Sequence, residues 1–185
     1  MKTLVINGSP KKNGDAQALL DAFLEELKGE VRVVTWQDAI SPCIDCRACW
    51  TKPGCAIKDG MEEIYRFHAQ CDNVVLLSPI WFSSLSGPLL NIASRFQTLF
   101  IGRFRRGEKQ EANKNSVLML VGAQKETVHA PREAAMVILR TMQAKVPPVA
   151  EVYSLNTDRV PAKTDAEALQ LARDAAKKLN GLCGK

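Results

Sequence analysis

Four cysteines, Cys43, Cys46, Cys49 and Cys55, stand in one short run with the spacing C-x2-C-x2-C-x5-C. Thiolates two residues apart in a loop can converge on one centre, and four of them suit a four-iron four-sulfur (4Fe-4S) cluster. A structural zinc normally takes two separated pairs and fits this single run less well. The chain starts at Met1-Lys2 and runs straight into a strand-like stretch with no charged-then-apolar leader, so a reducing cytoplasm is expected. There a tight group of cysteines points to metal or redox chemistry before disulfides. Cys71 and Cys183 stand alone and read as buried small apolar residues.

Two other segments carry residue types that hold ligands. Asn7-Gly8-Ser9-Pro10-Lys11-Lys12-Asn13-Gly14-Asp15-Ala16 joins an apolar run to a helical pattern. Its glycines admit close backbone approach, Ser9 adds a hydroxyl, and a helix start offers unpaired N–H donors, which together suit a phosphate. The loop is neither a Walker A sequence nor a G-x-G-x-x-G fingerprint. Ser78-Pro79-Ile80-Trp81-Phe82-Ser83-Ser84 sets large aromatics beside small hydroxyl residues, as an apolar slot for a flat heterocycle requires. Val121-Gly122-Ala123-Gln124 is small and again compatible with a close ligand.

The elements that position these loops follow from periodicity. Thr3 to Asn7, Val31 to Trp36, Asn73 to Leu77, Val117 to Val121 and Val149 to Leu155 read as strands. Helical spacing runs from Ala16 to Leu27, from Met61 through Tyr65, from Leu89 to Phe100, from near Pro131 through Met142, and over a last helix opened by a Thr164–Glu167 capping box. Five strands alternating with helices predict an α/β fold with a parallel sheet covered on both faces. The three ligand-competent segments then all lie at strand exits, where such sheets bind ligands. The 185 residues show no composition break or repeat, and the cysteine loop 41–58 interrupts the pattern after the second strand.

The ordered combination of Gly8-Ser9-Pro10-Lys11, Ser78-Pro79-Ile80-Trp81, Ser86-Gly87-Pro88-Leu89 and Ser94-Arg95-Phe96 resembles the NADPH-dependent FMN reductase group of flavodoxin-like proteins. The cysteine run followed by Asp59-Gly60-Met61 is similar to the iron–sulfur flavoprotein branch. The resemblance implies one flavodoxin-like domain over residues 1–185, a three-layer sandwich around a five-stranded parallel sheet. It implies FMN held at Ser9, Lys11, Lys12, Gly14, Asp15 and Ala16 around the phosphate, at Pro79, Ile80, Trp81, Phe82 and Ser83 around the ring, and at Gly122 and Ala123 on the ring's other edge. Cys43, Cys46, Cys49 and Cys55 would hold a 4Fe-4S cluster, or remain thiols in a loop beside the flavin, since some members of the superfamily carry a similar motif without a metal. Where the group usually has a small amide and a hydroxyl residue, this chain has Asp15 and Ala16. A carboxylate facing a phosphate repels it, so Asp15 is expected to point to solvent.

The implied activity is an FMN-dependent oxidoreductase that takes hydride from NAD(P)H and passes electrons to a small acceptor, a quinone, a free flavin or another oxidant, or to an iron–sulfur centre. A non-enzymatic electron carrier docking to a ferredoxin-like partner is the alternative. The resemblance also implies a homodimer or higher homo-oligomer, for which Trp81-Phe82 and Phe96 to Phe100 are candidate contact residues or, equally, core residues. The net charge of +5 is too mild to imply nucleic acid, and no apolar run is long enough to span a membrane. Arg103, Arg105, Arg106, Lys109 and Lys114 gather in one segment, which reads as a solvated loop before a dedicated anion site. Within the flavin reading, its arginines are candidates for a nicotinamide phosphate or an acidic donor protein. His68 and His129 are lone histidines expected to be structural.

Overall fold

Strands form where apolar runs are unbroken, and in the computed structural model, which describes residues 1–182, the central ones are fully buried. They are β1 (Lys2–Asn7), β2 (Glu30–Val34), β3 (Asn73–Trp81), β4 (Ser84–Leu85), β5 (Asn115–Val121) and β6 (Ala150–Ser154). The sheet order is β2-β1-β3-β5-β6 with every pair on this path parallel. Helices α1 (Asp15–Glu26), α2 (Met61–Gln70), α3 (Gly87–Ser94), α4 (Gln97–Phe104), α5 (His129–Thr141) and α6 (Ala166–Leu182) complete the chain. This is the flavodoxin-like strand order, in which the chain reverses direction across the sheet between β1 and β3.

Side chains alternate across the sheet with the period of a strand. Leu4, Ile6, Leu76, Leu118 and Leu120 pack with Met61 and Ile64 of α2, Leu89 and Ile92 of α3 and Leu139 of α5. Val5, Val75, Leu77, Val117 and Met119 pack on the other face with Leu19 and Phe23 of α1 and Ala172 and Leu179 of α6. Two apolar layers on one parallel sheet make the three-layer sandwich.

Several elements differ from the periodicity reading. β3 continues through Trp81, and a two-residue turn at Phe82-Ser83, both with positive φ (52° and 54°), folds it back onto the short antiparallel β4. Such a turn matches the twist of a hairpin but usually contains Asn or Gly, so nothing in the sequence signals it. The third helix is two helices. At the break the N–H of Arg95 donates to Ile92 O and that of Phe96 to Ala93 O, a tightened turn that carries Arg95 and Phe96 inward together. The last helix is capped by Asp165, whose Oδ1 accepts from the Ala168 N–H at 3.1 Å. Thr164 instead ends a 3-10 turn and donates to Pro161 O, so the expected Thr164–Glu167 box does not form. The cysteine loop holds short 3-10 turns at its approach, Trp36–Asp38, and within it, Ala48–Trp50. Among the described residues no helix is long and apolar enough to cross a membrane.

Candidate cofactor cleft and cysteine pocket

Three strand exits converge on a cleft of about 310 Å³. Ser9, Lys11, Gly14, Asp15 and Ala16 line it from the first, Pro79, Ile80 and Trp81 from the second, and Gly122 and Ala123 from the third. Of the residues expected there, Lys12, Phe82 and Ser83 do not line it; all three are exposed, Phe82 completely so. Thr157 and Asp158, which follow β6, form a fourth wall that the sequence reading missed. The signal was available, because they too leave the carboxyl end of a strand.

The first exit is shaped by local bonds. Asn7 Oδ1, buried, accepts from the Ser9 N–H at 3.0 Å, and Ser9 Oγ accepts from the Lys11 N–H at 3.3 Å. Gly14 caps α1 without a side-chain hydrogen bond, which leaves the first-turn N–H groups of α1 open toward an anion. The Ser86 hydroxyl, at the start of α3, donates to Gly8 O at 2.7 Å and binds this loop to the second exit. Gly122 lies against Ile80, and its carbonyl accepts from the Thr157 N–H at 3.1 Å. Asp15 does not point to solvent as expected: its Oδ1 accepts from the Ala162 N–H at 2.7 Å. That bond satisfies the carboxylate at the start of a 3-10 turn and directs one of its oxygens to the α6 side of the loop.

A second, smaller pocket of about 90 Å³ is lined by all four cysteines of the run, with Arg95 and Thr98 beneath them. Arg95 organises this loop from inside the protein. Its side chain is fully buried, and Nη1 donates to Ser41 O at 2.9 Å and to Asp59 Oδ2 at 2.7 Å while Nη2 donates to Ile57 O at 3.2 Å. Burial pushes the Asp59 carboxyl up, but the bonds from Arg95 and from the Met61 and Ser41 N–H groups outweigh it and hold the group below the usual carboxylate range. Ser94 Oγ accepts from the Cys43 N–H at 3.0 Å, and Thr98 Oγ1 donates to Gly54 O at 2.9 Å. Burial, then the nearby Cys43 thiol, pushes the Cys49 thiol up, with Arg106 pulling the other way.

The chemistry of this donor set fits an iron–sulfur cluster: four cysteines line one pocket, and the buried Nε of Arg95, on a side chain lining it, has no hydrogen-bond partner among the described residues. Among the described residues no three His, Cys, Asp or Glu side chains are gathered closely enough to hold a single metal ion. A four-iron cluster does not ask this of its thiolates, since each binds a different iron.

The basic segment is less free than a solvated loop. Arg106 donates to Cys49 O and pairs with Glu108 at 2.8 Å, while Arg105 and Arg47 both stack on Trp50, with 4.1 and 4.8 Å to the ring centroid. His68 is buried, held by Met142 O at 2.9 Å and against the Phe96 ring, and His129 is exposed at the start of α5 outside the cleft. Cys71 is buried as expected, and Cys183 lies outside the described residues. Phe96 is fully buried, which removes it from any contact surface, whereas Trp81, Phe82, Phe100 and Phe104 are exposed.

Comparison with known proteins gives one family. The family model described as NADPH-dependent FMN reductase matches residues 1–157. An iron-sulfur flavoprotein of Archaeoglobus fulgidus is 30% identical, over 97% of this chain and 79% of its own. An iron-sulfur flavoprotein of Methanocaldococcus jannaschii is 28% identical over 97% and 95%. The solved structure of Smu.1420 from Streptococcus mutans shares the fold, with a TM-score of 0.69 at 17% identity, covering 98% of this chain and all of that one.

Proposed function

The chain belongs to the NADPH-dependent FMN reductase family, and from that premise we propose that it is an FMN-dependent oxidoreductase oxidising NAD(P)H, with the flavin in the cleft at the ends of β1, β3, β5 and β6. The observation that carries this reading is the meeting of a phosphate-competent loop, an aromatic loop and a glycine exit in one cleft. When bound, FMN supplies the hydride and single-electron chemistry. Lys11 and the first-turn N–H groups of α1 would hold and neutralise its phosphate, and Pro79, Ile80 and Trp81, with Gly122 and Ala123, would hold its ring. The small residues at the third exit leave a face open to a nicotinamide and then to an acceptor such as a quinone or a second flavin. No side chain of the cleft is needed as a proton shuttle. Anaerobic spectra decide: flavin absorbance after FMN addition that bleaches rapidly with NADPH is expected, and no detectable FMN binding by titration overturns the reading.

The four-cysteine pocket supports a second role for the same chain. Cys43, Cys46, Cys49 and Cys55 would hold a 4Fe-4S cluster, which supplies one-electron transfer, as the names of the two archaeal relatives suggest. Arg47, Arg105 and Trp50 at its rim favour an acidic protein as electron partner. Reduction of the flavin by a ferredoxin-like donor and not by NADPH would make the chain a carrier instead of an enzyme. Exposed Phe82, Phe100 and Phe104 suit association as a homodimer or larger homo-oligomer, and sedimentation as a monomer at all concentrations removes that element.

A further inference from the structure

The Arg95 guanidinium has five N–H bonds, and three loop acceptors, Ser41 O, Asp59 Oδ2 and Ile57 O, are served by its two terminal nitrogens. Its Nε is buried and has no hydrogen-bond partner among the described residues. An unmet N–H in the interior costs free energy comparable to a lost hydrogen bond, so such an atom in a folded protein usually faces a group that completes it. The side chain lines the cysteine pocket, and the Cys55 sulfur lies close enough to the guanidinium to act on its charge and to serve as a hydrogen-bond acceptor for it, though not in line with Nε–H. Asp59, its ion-pair partner among the described residues, is bonded on the side of the guanidinium away from Nε, through Nη1.

We propose that Arg95 is a positioning residue for the iron–sulfur group of the second pocket: its terminal nitrogens set the path of the cysteine loop, and its Nε–H donates to a sulfur of the bound cluster on the Cys55 side. The inference rests on the cluster reading above. Adding one electron to the cluster adds one negative charge beside a fixed cation and an N–H donor, and both favour the reduced form. Arg95 therefore raises the cluster's reduction potential without contact with FMN or its substrates.

The test uses the full-length protein, purified and reconstituted anaerobically with iron and sulfide, as wild type, Arg95→Lys and Arg95→Gln. A single potentiometric titration reads the cluster by electron paramagnetic resonance and the flavin by its absorbance. With iron content matched, the cluster midpoint is expected to move negative in Arg95→Gln, and less far in Arg95→Lys, which keeps the charge but lacks Nε, while the flavin midpoint stays put. A merely structural arginine changes iron content or stability and leaves the midpoint of the loaded fraction where it was, and that result overturns the proposal. If the variants fail to fold, protein that keeps Arg95, labelled with 15N-arginine in an Arg47→Lys/Arg105→Lys/Arg106→Lys background, decides. A pulsed hyperfine coupling between the reduced cluster and a guanidinium nitrogen supports the assignment, and its absence overturns it. Wild type that binds FMN but takes up no iron overturns the cluster reading and this inference with it, and leaves the flavin site standing.

Discussion

The Ser86 hydroxyl and the Gly8 backbone are in direct contact: Ser86 Oγ donates to Gly8 O at 2.7 Å, and a β-carbon placed on Gly8 would stand 2.4 Å from that same oxygen. It would also stand 2.6 Å from the β-carbon of Leu89, which cannot swing away because it is fixed to α3. The loop after β1 and the start of α3 thus pack backbone to backbone. Gly8→Ala must push α3 outward, an overpacking that costs about 1–3 kcal/mol, and is expected to weaken FMN binding tenfold or more. Denaturant unfolding together with a flavin fluorescence titration checks both parts.

Lys11 is assigned to the phosphate and not to the ring. Lys11→Ala is therefore expected to weaken FMN binding several-fold at low salt, less at high salt, and to leave riboflavin binding unchanged. Equal losses for FMN and riboflavin would show that the residue acts elsewhere in the cleft.

Asp15 separates two effects within one side chain. Its bond to the Ala162 N–H holds the 3-10 turn before α6, while its negative charge sits beside the proposed phosphate seat. Asp15→Asn keeps an oxygen for Ala162 and removes the charge, so FMN affinity should rise with little change in stability. Asp15→Ala removes both and should cost about 1–2 kcal/mol. Unchanged FMN affinity in Asp15→Asn would show that the carboxylate lies out of reach of the ligand.

His68 makes stability depend on pH. Burial, helped by the charge of Lys114 and opposed by the Met142 carbonyl, lowers its pKa to about 4, below the ordinary 6.5. The unfolded chain then binds the proton more readily than the folded one between these values. Stability from this group is complete above about pH 6.5 and falls as pH drops toward 4, by up to on the order of 3 kcal/mol. Melting temperatures of wild type and His68→Gln across this window should diverge, with wild type losing more; parallel curves would exclude His68 as the cause.

Much of the scaffold was legible because its signals are local. Leu4 to Ile6, Val74 to Leu77 and Val117 to Leu120 are strands buried on both faces, and runs of that kind have few other homes. The exits at Gly8, Ser78 and Gly122 followed from where those runs stop. What escaped depends on partners distant in sequence or on turns without the usual residues. Asp15 meets Ala162 across most of the chain, and Arg95 reaches back to Ser41, Ile57 and Asp59. The Phe82-Ser83 turn carries neither Gly nor Asn, and the helix break at Arg95-Phe96 has no proline. Thr164 and Glu167 matched a capping pattern that the neighbouring Asp165 fulfils in fact.

Helix α3 is both a ruler and a phase setter. Ser86 anchors its first turn to the Gly8 loop, and Arg95, just past its last residue, anchors the cysteine loop. Its eight residues span about 12 Å, and each further residue would add about 1.5 Å and a rotation of about 100°. One inserted alanine would thus leave the Ser86 end seated while turning the guanidinium away from Asp59. Spacing and orientation of the two pockets are set by one rigid count of residues, so in descendants of this chain α3 should keep its length even where both loops change theirs.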